Sequence, residues 1–118
     1  KNIHLTIGGK KDTIFGSPLT LDATVEALSP DSLLSTSRGV ALVRSQGVDI
    51  AIINSRRSFT TPQDFKEIGL DPLDFKIVVV KLGYLYPELR DIAPVHLMAL
   101  TPGFCNLDMP SYPDSCIL

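Results

Sequence analysis

Apolar and polar residues alternate at the start of the chain with the two-residue period of a half-buried β-strand. Ile3, Leu5 and Ile7 face one way, His4 and Thr6 the other. Gly8-Gly9 ends that run. The pattern returns over residues 19–28: Leu19, Leu21, Ala23, Val25 and Ala27 share one face, and Thr20, Asp22, Thr24 and Glu26 take the other. This predicts a strand with one side in water. Residues 29–38, rich in Ser and containing Pro30 and Asp31, read as an irregular connection. Two apolar runs follow, 40–44 and 48–54, separated by Ser45-Gln46-Gly47. A glycine late in so short a linker provides the positive φ of a tight hairpin. The second run, from Val48 through Ile50, Ala51, Ile52 and Ile53, is almost continuously apolar, which predicts a strand covered on both faces.

The rhythm then changes. Thr61-Pro62-Gln63-Asp64 has the form of a helix start, with Thr61 as N-cap, Pro62 at the first helical position and Asp64 reaching back as the box partner. Phe65 and Ile68 form the buried stripe, Gly69 fits the C-terminal stop, and Asp71-Pro72 opens one more turn. Ile77-Val78-Val79-Val80 predicts a buried strand within residues 76–81. Residues 84–93 predict a helix with Pro87 in its first turn and Leu85, Leu89 and Ile92 on one face, stopped by Pro94. Residues 95–100 predict the last strand, broken by Thr101-Pro102-Gly103. The expected fold class is therefore α/β or α+β: a mixed sheet, with antiparallel strands in the first half followed by a βαβαβ parallel unit joined by right-handed crossovers.

The length, 118 residues, suits one domain, or one piece of a larger protein, with residues 105–118 an irregular tail. An apolar fraction of 44% with 20% charged residues argues for a packed globule and against disorder. No apolar run approaches the ~20 residues of a membrane span, and no basic-then-apolar leader opens the chain, so a cytoplasmic protein is expected. A formal net charge of −2 gives a nucleic-acid role no electrostatic support. Cys105 and Cys116 are the only thiols and read as unpaired. His4 and His96 are the only imidazoles, and neither lies in a ligand spacing, so no metal site made wholly from this chain is expected. Nucleophile-elbow, phosphate-loop and dinucleotide motifs are all missing. Alone, the chain does not read as catalytic.

The loops carry what chemistry remains. In a parallel unit the strands end at one edge, and the crevice outside those ends is where ligands bind. Ser55-Arg56-Arg57, Lys81-Leu82-Gly83 and Thr101-Pro102-Gly103 would meet there, joined by the segment from Gly8 through Lys10 and Lys11 to Asp12. Lys10, Arg56, Arg57 and Lys81 are then candidates for a positive edge that receives a carboxylate, a phosphate or an acidic surface. The plainer reading makes them solvated charges, or partners of Asp12, Asp71 and Asp74. Tyr84 and Tyr86 read as packing groups with wet hydroxyls, His4 as exposed, and His96 as half-buried in its strand. Asp49, inside an apolar strand, needs a partner, which the neighbouring hairpin or an arginine could supply.

Taken in order, several segments resemble one family. They are Gly8-Gly9-Lys10 with Asp12, Asn54-Ser55-Arg56-Arg57, Gly69-Leu70-Asp71-Pro72, and Val79-Val80-Lys81-Leu82-Gly83-Tyr84. The stretches 87–94, from Pro87-Glu88-Leu89-Arg90 to Pro94, and 99–104, Ala99-Leu100-Thr101-Pro102-Gly103-Phe104, continue the series. Together they resemble the C-terminal region of the microcystinase C (MlrC) family of zinc metallopeptidases. The resemblance implies a parent of several hundred residues whose N-terminal catalytic domain holds the zinc ligands and the catalytic carboxylate. It carries no cofactor onto this chain. Hydrolysis there would be zinc-assisted, the metal polarising the carbonyl and activating water. This chain would complete the cleft or pack on that domain, with Lys10, Asp12, Ser55, Arg56, Arg57, Lys81 and Tyr84 as candidate contacts to substrate or partner. The alternative is a free-standing module with a basic, anion-binding edge. Residues 29–39 and the Tyr112–Cys116 stretch depart from the family's pattern.

Overall fold

Strands β1 (Asn2–Ile7), β2 (Leu19–Ser29), β3 (Val40–Ser45) and β4 (Val48–Ile53) form one antiparallel sheet in the order β1-β2-β3-β4. The computed structural model describes residues 1–10, 14, 16–29, 39–54 and 57–101. The period-two runs of the first half become these strands, because alternation offers one apolar row to a core and one polar row to water. Gln46 and Gly47 join β3 to β4 with φ of 49° and 81°. Two successive left-handed residues make the primed turn whose twist matches a two-residue hairpin, and Ser45 faces Val48 across it. After β1, Gly9 is irreplaceable on space alone: a Cβ there would lie 2.5 Å from the Pro18 backbone nitrogen.

One irregularity reorganises the sheet. Thr24 faces Arg44 and Val25 faces Val43, but Ala27, not Glu26, faces Leu42. The register shift is a β-bulge at Glu26. It reverses the in–out phase of the rest of β2, so Ala27 leaves the face that Val25 occupies. On one side of the bulge the face opposite Val25 carries Asn2, His4, Thr6, Thr20, Asp22, Thr24, Arg44 and Asp49; on the other side it carries Ala27, Leu42, Val40 and Ala51. Ile68 and Gly69 border a shallow hollow with Ala27, Val40 and Leu42, which places the end of the first helix over the apolar part. Val43, on the opposite face, is 1% exposed, the most deeply buried side chain described. Each such residue contributes about 1.5–3 kcal/mol through burial.

The described residues of the second half form three short helical elements. Helix α1 (Pro62–Lys66) starts as its sequence predicts: Thr61 is the N-cap, Pro62 occupies the first turn, and the capping box with Asp64 is complete. Gly69, at φ 78°, ends it. Its amide donates to the Lys66 carbonyl and that of Leu70 to the Phe65 carbonyl, the paired bonds of a Schellman stop. A 3-10 turn (Pro72–Asp74) follows, capped by Asp71, whose carboxylate accepts from the Leu73 amide. Helix α2 (Pro87–Arg90) is much shorter than the expected 84–93. Proline drives the residue before it out of helical geometry, and Tyr86 sits at φ −66°, ψ 146°, so no turn can form ahead of Pro87.

Three expectations are corrected. The described residues contain no parallel βαβαβ unit, and residues 76–81 and 95–100 are not strands. β-branched composition gives a strand only where a neighbouring edge and a covering layer exist. Here Ile77 is 80%, Val79 87% and Leu97 92% exposed. β4 is not covered on both faces: it is the outer strand of the sheet, with half-buried and exposed positions mixed. His96 is exposed, not half-buried. The residues expected as a tail, 105–118, lie outside the described residues, with both cysteines.

Candidate functional site

The predicted contact residues are spread over several loops, and what each does depends on its local partners. Arg57 precedes α1 and turns its guanidinium onto that helix, where Nη2 donates to Glu67 and, at 3.3 Å, to Asp64. The same group lies 5.4 Å from the centre of the Phe59 ring, which packs edge-on against buried Phe65 at 5.1 Å. The Glu67 hydrogen bond and the nearby Asp64 charge raise the Arg57 pKa further. Burial would push the Asp64 carboxyl up. The amides of Thr60 and Thr61, the Thr61 hydroxyl and Arg57 outweigh it, so the group is held below its usual range. With two carboxylates on one guanidinium, this cluster is acidic in sum, and Arg57 already has its anions.

Lys10 and Lys81 are exposed and make no ion pair with any described residue. Tyr84, 61% exposed, stacks on Tyr86 with ring centres 4.8 Å apart, and its hydroxyl donates to that of Tyr86 at 3.0 Å. That contact raises the Tyr86 phenol above its usual pKa. No hydrogen bond or ion pair joins Lys10, Arg57, Lys81 and Tyr84 to one another. Asp12, Ser55 and Arg56 lie outside the described residues.

Sequence reasoning missed a polar ladder on the sheet. One row, Asn2, Thr24, Arg44 and Asp49, crosses all four strands. Thr24 donates to Asn2 at 3.1 Å, and Arg44 grips Asp49 with two hydrogen bonds of 2.6 and 2.9 Å. This is the arginine partner that Asp49 required. The Arg44 hydrogen bond lowers the Asp49 carboxyl against the opposing effect of burial, and the aspartate side chain keeps only 8% exposure. His4 Nδ1 lies 2.7 Å from Asp22, and Thr6 bonds Thr20 at 3.0 Å. The alternation of polar residues in β1 and β2 is the signal that could have shown these pairs, once the register was known.

Ser45, His4 and Asp22 border one hollow, but they do not form a nucleophile–base relay. The Ser45 hydroxyl donates to the Asp22 backbone carbonyl at 2.6 Å, away from the imidazole, and the Asp22 side chain is 89% exposed. Among the described residues, no group of three or more His, Cys, Asp or Glu side chains is placed to hold a metal ion. No described helix is long and apolar enough to cross a membrane.

The family comparison adds what the geometry lacks. A family model described as "MlrC C-terminus" matches residues 1–114. Neither a curated protein nor a solved structure is similar enough to count as a match. The chain belongs to the MlrC C-terminal family.

Proposed function

We propose, from the premise that this chain is an MlrC C-terminal domain, that it is the non-catalytic companion of a zinc metallopeptidase domain lying before it in the same protein. The preceding domain would hold the metal and the hydrolytic chemistry in the cytoplasm, and this domain would pack on it and complete the cleft. The observation that carries the reading is the run of apolar side chains left in water: Ile77, Val79, Val95, Leu97, Met98 and Leu100 are all more than half exposed. A monomer rarely leaves so many large apolar groups along two adjacent segments without something to cover them. The described donors do not fit zinc: His4 and Asp22 supply two ligands at one place, and His96 stands in a different segment.

Within this reading, Lys10, Lys81 and Tyr84 are the described residues available to touch the partner or the substrate, together with Asp12 close to Lys10 in sequence and Ser55 and Arg56 just before Arg57. Arg57 serves instead to tie residues 57–60 to α1. That engagement also weakens the alternative of a free-standing anion-binding module, which needs its arginines unpaired. The test is metal analysis and peptidase assay of this chain alone: no stoichiometric zinc and no cleavage are expected. One tightly held zinc per chain, lost in His4→Ala or His96→Ala, would refute the proposal.

A further inference from the structure

Among the described residues β4 forms an edge of the sheet, and its sequence lacks the usual protections of an edge. Its sequence, Val-Asp-Ile-Ala-Ile-Ile, has no proline, no bulge and one charge. That charge, Asp49, is folded onto Arg44 of the neighbouring strand rather than standing guard in water. Natural sheets blunt such an edge, because a row of open amides and carbonyls beside apolar side chains recruits another strand. Residues 77–80 have the complementary property. Ile77, Val78, Val79 and Val80 are β-branched, lie outside any helix or strand, and donate no backbone hydrogen bond to a described residue. The connection from β4 to this segment contains α1 and the 3-10 turn. A parallel pairing needs a crossover of a dozen or more residues that includes a helix, and this one qualifies. The next connection, to residues 95–100, contains α2 in the same way.

We infer that, in the protein that carries its preceding domain, residues 77–80 pair in parallel with the open edge of β4, and residues 95–100 extend the sheet beyond them. This rests on the docking reading above and names how the docked surface is built. In the separate chain the pairing has no support: parallel strands are stable when both faces are covered, and Ile77 and Val79 would face water on one side. The preceding domain provides the missing layer. Docking and sheet growth are then one event, and main-chain hydrogen bonds set the register while the apolar side chains are buried.

The experiment uses the full-length protein, with two readouts on one sample. Hydrogen exchange follows the amides of residues 48–53 and 77–81; hydroxyl-radical footprinting follows Met98, which is 53% exposed here. The expected result is amide exchange slowed at least about 100-fold in both segments relative to the separate chain, with Met98 protected. Val79→Pro, which removes a central amide, should abolish that protection, whereas Val79→Ala, which keeps the amide, should retain most of it. Protection of Met98 with fast exchange at 77–81 would overturn the strand pairing while leaving docking intact. A Met98 as reactive as in the separate chain would overturn docking itself, and the strand pairing with it.

Discussion

Compare Val40–Ser45 with residues 76–81. Both are short, valine-containing apolar runs with basic residues at or near their ends, yet β3 is the most buried strand of the sheet while the later segment lies open. Val43 is 1% exposed and Val79 is 87%. The difference lies in the neighbours: β3 has β2 on one side and β4 on the other, and Leu42 and Val43, on its opposite faces, are both buried. A strand is a relation between segments, and its side chains contribute only when others cover them. The first half of this domain contains its own relations; residues 76–81 and 95–100 have none of that kind among the described residues.

That contrast can be broken most forcefully at the core. Leu42→Ala should cost about 2–4 kcal/mol in denaturant unfolding, because Leu42 is 5% exposed and its removal leaves a cavity beneath the end of α1. Leu97→Ala, at a position 92% exposed, should change stability by no more than about 0.5 kcal/mol. Similar losses at both sites would mean that the second half is packed after all. A smaller effect sharpens the comparison at α1, the one well-built element of the second half. Thr61→Ala should cost about 1 kcal/mol through loss of the N-cap, read as a lower unfolding midpoint at unchanged slope.

The smallest expected effect is the sheet's share of the pH dependence, since Asp64 beside α1 is lowered as well. The Asp49 carboxyl is held below its ordinary value when folded, so its stabilisation is fully present above the unfolded pKa. It is lost as pH falls through the lower folded value. Asp49→Asn should therefore flatten the acid limb of the stability curve and leave the region above neutrality unchanged in slope. A limb of unchanged steepness would remove Asp49 from the account.

Much of the local structure was legible because it is written in short-range chemistry. Ser45-Gln46-Gly47 spelled the hairpin, Thr61-Pro62-Gln63-Asp64 the capping box, and Gly69 the helix stop; each depends on residues within a few positions. The partner for Asp49 was legible in kind, since a covered carboxylate must find a donor. The bulge at Glu26 was not, because uninterrupted alternation continues through it and only the pairing with β3 shows the extra residue. The partners of Arg57 were not legible either, for a related reason. Its anions, Asp64 and Glu67, stand three apart on one face of the turn that follows, whereas Asp12, Asp71 and Asp74 were the carboxylates expected beside it. Ile77-Val78-Val79-Val80 has the composition of a strand, but composition does not say where the covering layer is.

The central claim is that the open apolar segments of the second half belong against the domain that precedes them. Leu97→Glu tests it by placing one carboxylate at the most exposed of the large apolar positions described. The account predicts that the unfolding curve of the separate chain is unmoved, while the full-length protein loses stability together with the peptidase activity proposed for it. A full-length protein as stable and active with Glu at position 97 as with Leu would contradict it.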